Sequence, residues 1–258
     1  MDALHRYLST GHRQVQGWLW PEAIQLITAL SAIQRDLGVR GGTGEIGVHH
    51  GRLFILLHLL CAEDEPSGAW DLFEDQDQNI DASGRGDYQR LLANLQEQGC
   101  DLGRIQLVKA NSLDLDSDQV RQVLGGGVRL FSVDGGHTAA LTYRDLQTAS
   151  GALAEGGIVI LDDYFNDQWP GVAEGALRFL IDHPERLFPV AIGGNKVFFG
   201  ASAEWAARYQ EALARSGPGA HKISELSGKP VLVFRFPQHR GPGGRLGRLL
   251  RRLYGLLR

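Results

Sequence analysis

From Gly41 to Gly200 the chain alternates short apolar runs with amphipathic stretches, a rhythm that points to a parallel β-sheet covered by helices on both faces. Strands are expected near 43–47, 69–73, 105–109, 128–133 and 157–161, with helices near 50–61, 87–98, 117–124, 138–153 and 170–182. Asp87 is placed to N-cap the second of these helices. Beyond them, 189–192 and 196–199 flank Gly193-Gly194-Asn195, a tight hairpin that makes the sheet mixed, and a helix near 202–214 and a strand near 230–235 follow.

The flanks read differently. Residues 1–40 form a helical prelude or cap, with Pro21 at a helix start and Ile24, Ile27, Leu30, Ile33 and Leu37 at helical spacing. Trp18 and Trp20 precede that helix, as packing anchors or as a cover for a site mouth. The main domain is expected over 41–236, followed at 237–258 by a Gly/Pro/Arg-rich linker and a basic amphipathic helix. Leu246, Leu249, Leu250, Leu253, Leu256 and Leu257 share one face of that helix, and Arg245, Arg248, Arg251, Arg252 and Arg258 the other. Such a helix can lie on an anionic membrane, pack on the domain, or self-associate in a homo-oligomer. A net charge of -4 argues against a general nucleic-acid binder. Cys61 and Cys100 lack any Cys-x-x-Cys pattern and no apolar leader opens the chain, so a cytoplasmic, disulfide-free protein is expected, with membrane contact only peripheral.

Chemistry concentrates where two apolar runs end. One ends in Asp134-Gly135-Gly136-His137 and the other, one helix later, in Asp162-Asp163. If these runs are adjacent parallel strands, their carboxyl ends lie only about 5 Å apart. Three acids in one crevice repel each other unless a cation or donors neutralise them, and Mg2+ suits a carboxylate set that keeps open positions. The alternative is that Asp134 and Asp162 only accept backbone N–H bonds while Asp163 faces solvent. His137 is a candidate general base, or the opening of the next helix; Asp134 is the base if no metal binds.

A second cluster sits at the first strand. Gly44-Glu45-Ile46-Gly47-Val48-His49-His50-Gly51 is a glycine turn into a helix, of the kind that lets a ligand approach bare backbone. Glu45 at its mouth would repel a pyrophosphate and attract the ammonium and sulfonium of S-adenosylmethionine. Asp71, 24 positions after Gly47, is placed to accept ribose hydroxyls, a role that nicotinamide enzymes share. Residues 74–86 place acids at alternate positions but carry Ile80 and Gly86 where a calcium loop needs Gly and Glu; a lid or a solvated insertion remains.

Together these residues resemble class I S-adenosylmethionine-dependent methyltransferases, particularly the macrocin-type sugar O-methyltransferases. The resemblance covers about 41–200 and rests on Glu45-Ile46-Gly47 with Gly51, Asp71-Leu72-Phe73-Glu74, Asp134-Gly135-Gly136-His137 with Asp145-Leu146, and Asp162-Asp163-Tyr164. It implies a doubly wound, mostly parallel seven-stranded Rossmann-like α/β sheet of order 3-2-1-4-5-7-6. It also implies Asp134, Asp162 and Asp163 as Mg2+ ligands and Asn111-Ser112 as the adenine-side contact. The expected cofactor-binding set is Glu45, Gly47, Gly51, Asp71, Asn111, Ser112 and Asp134, and the expected function is metal-assisted O-methylation of a small hydroxylated acceptor, such as a sugar. An NAD-dependent oxidoreductase and a non-catalytic cofactor-binding scaffold are the rivals.

Overall fold

The computed structural model describes residues 2–236. Two helices open it: the short α1 (Ala3–Ser9) and the longer α2 (Pro21–Asp36), the latter started by Pro21 in its first turn. Then come β1 (Gly42–Ile46), α3 (Arg52–Leu59), β2 (Ser67–Asp71), α4 (Tyr88–Glu97), β3 (Ile105–Lys109) and α5 (Ser117–Leu124). The second half runs β4 (Val128–Val133), α6 (Ala139–Ala152), β5 (Leu153–Leu161), α7 (Pro170–Asp182), β6 (Phe188–Gly193), β7 (Lys196–Gly200), α8 (Ala203–Ser216), β8 (Ala220–Leu226) and β9 (Lys229–Arg235).

Capping chemistry fixes several helix starts. Asp87 accepts from the Arg90 N–H at 2.8 Å, as its position in the sequence suggests, and Asp116 with Gln119 makes a reciprocal capping box on α5. Thr138, not His137, caps α6 by accepting from the Leu141 N–H at 3.3 Å. That leaves the His137 ring free for other partners.

The strands form one sheet of order β3-β2-β1-β4-β5-β7-β6-β9-β8. The first seven positions follow the expected order, but the described residues hold nine strands in place of the expected seven. A hairpin after α8 adds β9, parallel to β6, and then β8, antiparallel to β9. The exposed strand β8 carries His221, Lys222 and Glu225, so it lacks the apolar alternation that marks a half-buried strand. The C-terminal amphipathic helix expected after Pro237 lies outside the described residues.

Two apolar layers sandwich the sheet. Leu130, Ile158, Ile160 and Phe198 face the layer that contains α2 and α3, while Phe131, Val133, Val159, Leu161 and Phe199 face the layer that contains α6 and α7. Every residue of β4 is buried. Truncating a buried phenylalanine such as Phe131 to alanine costs about 3–5 kcal/mol, so this centre is a rigid platform for the loops at its end. The α2 side chains Leu26, Ile27 and Leu30 belong to the same core, which ties the prelude to the sheet. His58 is a satisfied core histidine, bonded to Ser67 Oγ at 2.8 Å through Nδ1 and to the Asp101 N–H at 3.2 Å through Nε2.

Candidate active site

Register brings the two acidic strand ends together. Val133 pairs with Ile46 on one side and Leu161 on the other, so Asp134 and Asp162 emerge side by side. The Asp134 N–H donates to Ile46 O at 2.9 Å and the Asp162 N–H to Val133 O at 3.1 Å. Gly47 is required at this crowded junction. It has φ of 81°, and a Cβ there would stand 1.9 Å from Asp134 O.

Sequence reasoning missed the cation already present. Strand β7 runs antiparallel beside β5, pairing Val197 with Leu161, and so carries Lys196 to the end of the acidic pair. Lys196 is 2% exposed, and its Nζ donates to Asp162 Oδ2. The turn feeding it is a two-residue hairpin with φ of 62° at Gly194 and 67° at Asn195, the geometry of a type I′ turn. The Asn195 amide donates to Asp163 Oδ1 at 2.6 Å and to Asp162 Oδ1 at 3.3 Å. A lysine directly after a Gly-Asn turn was the available signal, but it became meaningful only once β7 was known to border β5.

Asp162 and Asp163 each have both oxygens engaged, Asp162 by Lys196 and the Asn195 amide and Asp163 by the Asn166 and Asn195 amides and the His137 ring, and the acids grouped with His137 at ligand spacing are Asp134 and Asp163. Burial first, then the neighbouring Asp162, pushes the Asp134 carboxyl well above the usual range, with Lys196 pulling the other way. Ligand atoms of Asp134, His137 and Asp163 lie within 4.8 Å of one another. Of these atoms the carboxylate oxygens of Asp134 and Asp163 suit Mg2+, whereas the His137 imidazole suits softer ions. The grouping differs from the expected Asp134, Asp162 and Asp163 in having His137 in place of Asp162.

His137 lies between two carboxylates, with Nδ1 3.0 Å from Asp81 Oδ2 and Nε2 3.2 Å from Asp163 Oδ2. Trp169 stacks on the ring at 4.3 Å, with planes 18° apart. Burial disfavours the imidazolium, but the bonds to Asp163 and Asp81 outweigh it and raise the pKa. Asp163 has its backbone in the left-handed region, φ 57°, and its Oδ1 is held by the Asn166 and Asn195 amides.

These groups line a crevice of about 720 Å³ at the carboxyl ends of the strands. Gly47, Asp71, Asn111, Ser112 and Asp134 from the expected cofactor set line it. Asp71 accepts from the His49 N–H at 2.8 Å and the Phe73 N–H at 2.6 Å, one bond on each oxygen. A carboxylate has about four acceptor sites, so capacity for ribose hydroxyls remains. Asn111 reaches the 74–86 loop, donating to Gln78 Oε1 at 3.1 Å.

Two expected residues are placed elsewhere. Glu45, expected at the mouth, is 2% exposed within β1 and does not line the crevice. Burial, with Asp134 nearby, pushes its carboxyl well above the usual range, the opposite of an open acid awaiting a sulfonium. Gly51 is also off the lining: it caps α3 at φ 89°, where a Cβ would meet Leu91 Cδ1 at 2.4 Å. Trp18 and Trp20, by contrast, are 74% and 56% exposed and line the crevice, so they are not core anchors. His49 also lines it, stacked on His50 at 3.8 Å.

Residues 45–164 match the family profile described as a methyltransferase domain. No curated protein matches the chain. Among solved structures, the O-methyltransferase NovP is similar at 14% identity and TM-score 0.58, over 70% of this chain and 80% of that one. CalS11, a TDP-rhamnose 3'-O-methyltransferase of calicheamicin biosynthesis, is similar at 20% identity and TM-score 0.51, over 69% and 80%. MycE, a methyltransferase of the mycinamycin pathway solved with Mg, SAH and mycinamycin VI, is similar at 16% identity and TM-score 0.50, over 78% and 55%.

Proposed function

We propose that this chain, in which residues 45–164 match the methyltransferase-domain profile, transfers a methyl group from S-adenosylmethionine to a hydroxyl of a small acceptor, with help from a divalent cation. The observation that carries the reading is the meeting of Asp134, Asp163 and His137 in a crevice that Gly47 and Asp71 also line. Bound there, the sulfonium supplies an electrophilic methyl group, and methyl transfer is an in-line displacement that speeds up when the attacking oxygen is fixed and loses its proton.

The chain's own residues divide the work. Gly47 would admit the donor to bare backbone, and Asp71 would hold its ribose. Asp134 and Asp163 would hold Mg2+, which favours oxygen ligands and would stabilise the developing alkoxide. His137 then serves as the base rather than as a ligand, since an imidazole suits softer ions better than magnesium. Lys196 holds Asp162 beside this pair and offsets its charge. Trp18 and Trp20 at the mouth would seat the flat face of the acceptor, for which a sugar is the leading class.

A direct test is transfer of isotope-labelled methyl from S-adenosylmethionine to TDP-rhamnose, a glycosylated macrolide and catechol, with Mg2+ and with EDTA. Labelling of at least one of them, lost with EDTA and restored by Mg2+, supports the reading. Undiminished transfer in EDTA overturns the metal. Tight binding of NAD without response to S-adenosylmethionine overturns the whole.

A further inference from the structure

The loop between β2 and α4 carries a buried charge. Asp81, in the middle of it, has a side chain only 9% exposed. Its Oδ2 accepts from the His137 backbone N–H at 2.5 Å and faces His137 Nδ1 at 3.0 Å. Its Oδ1 accepts from the Ser83 N–H at 3.0 Å and the Ser83 hydroxyl at 2.5 Å. Burial works against the charge, yet these bonds hold the carboxyl down at about 2. A solvated insertion has no reason to bury an acid against a strand-end turn 56 residues away.

The loop is braced for that task. The Asn79 amide donates to Ser83 O at 2.7 Å, closing the segment on either side of Asp81. Lys109 pairs with Asp75 at 2.6 Å and Asn111 with Gln78 at 3.1 Å, tying the loop's first half to the end of β3. With Trp169 stacked on its face, the imidazole is fixed both in its plane and about its axis.

We propose that Asp81 is the positioning residue for His137, a carboxylate delivered by the 74–86 loop that keeps the proton on Nδ1 and turns Nε2 toward the acceptor. The inference rests on the reading of His137 as the base. A carboxylate at one ring nitrogen fixes which nitrogen carries hydrogen and leaves the other as acceptor. When Asp163 is engaged by a cation, Asp81 remains the ring's carboxylate partner. His137 Nε2 then takes the acceptor's hydroxyl proton as the oxygen–methyl bond forms and the sulfur–methyl bond breaks, its electron pair staying on sulfur. Asp81 comes from a loop that itself lines the crevice, so one segment both borders the site and orients the ring.

The test compares the full-length wild type with D81A, D81N and D81E, each 15N-labelled and carrying S-adenosylhomocysteine and Mg2+, by imidazole nitrogen spectra at one alkaline pH. The wild type is expected to hold His137 as the Nδ1–H form; D81A should shift it toward Nε2–H or an average, and D81E should restore it in part. Amide spectra away from the crevice and the affinity for S-adenosylhomocysteine, the latter within about 2-fold, report that the fold persists. Labelled transfer to the acceptors named above should fall roughly 10- to 100-fold in D81N. An unchanged His137 tautomer in D81A overturns the proposal. H137Q separates the two claims: full transfer in H137Q removes the base reading, whereas an inactive H137Q beside a fully active D81N removes only the role of Asp81.

Discussion

Lys196 Nζ donates to Asp162 Oδ2 inside the protein, with the lysine side chain 2% and the aspartate side chain 10% exposed. The pair joins the antiparallel strand β7 to the end of the parallel strand β5, so the mixed edge of the sheet supplies a charge to the parallel half. Lys196 stays charged despite burial, which lowers its pKa, because Asp162 and Asp134 raise it by more. Replacing it with methionine leaves a buried carboxylate without its cation. The expected loss is about 3–5 kcal/mol of stability for K196M, read from denaturant unfolding, with much of it recovered in K196M/D162N.

Substitution of Asp134 is expected to separate binding from chemistry. D134N keeps the shape of the side chain and its backbone bond to Ile46 but removes the charge that would meet a cation. Transfer of labelled methyl should drop at least about 100-fold, while affinity for S-adenosylmethionine changes less than about 3-fold by calorimetry. Retained transfer removes Asp134 from the chemistry.

Asp145 predicts an inverted pH dependence. It is 1% exposed, beneath Gly135, and burial pushes its carboxyl to about 7. A folded-state pKa above the unfolded value means that the native state keeps a proton that the unfolded chain releases. The contribution of this group is therefore most favourable below about pH 4 and is lost as pH rises toward and through 7, by up to about 4 kcal/mol. D145N should melt higher than the wild type at pH 8 and show a smaller fall in melting temperature between pH 5 and pH 8. Equal slopes for the two proteins contradict this.

Trp18 and Trp20 should affect the acceptor and not the fold. Both are largely exposed, so W18A and W20A should alter unfolding by no more than about 0.5 kcal/mol. Loss of one ring face costs about 0.5–1.5 kcal/mol, expected as a roughly 2- to 10-fold rise in acceptor KM with the affinity for S-adenosylmethionine unchanged.

The parts of the site that were legible in the sequence are those set by local pattern. The strand ends at Asp134 and Asp162, the turn at Gly47 and the acid at Asp71 follow from apolar runs, each of which stops at a chemical residue. What escaped depends on contacts between distant segments. Lys196 required the insertion of β7 beside β5, and Asp81 required a loop to reach across to His137. Glu45 was misplaced because its position in the chain, next to the turn, does not reveal that it is enclosed within β1. Strand β8 escaped because an exposed strand carries polar residues and its pairing with β9 leaves no apolar alternation to detect.

The crevice that runs from Gly47 to Asp163 would hold a sulfonium donor. Calorimetric titration of the full-length wild type and D71A with S-adenosylmethionine, and of the wild type with NAD, decides this. One-to-one binding of S-adenosylmethionine, weakened about 10-fold or more in D71A, with no heat from NAD, is the expected result. Saturable binding of NAD with none of S-adenosylmethionine, or S-adenosylmethionine binding that D71A leaves untouched, would contradict it.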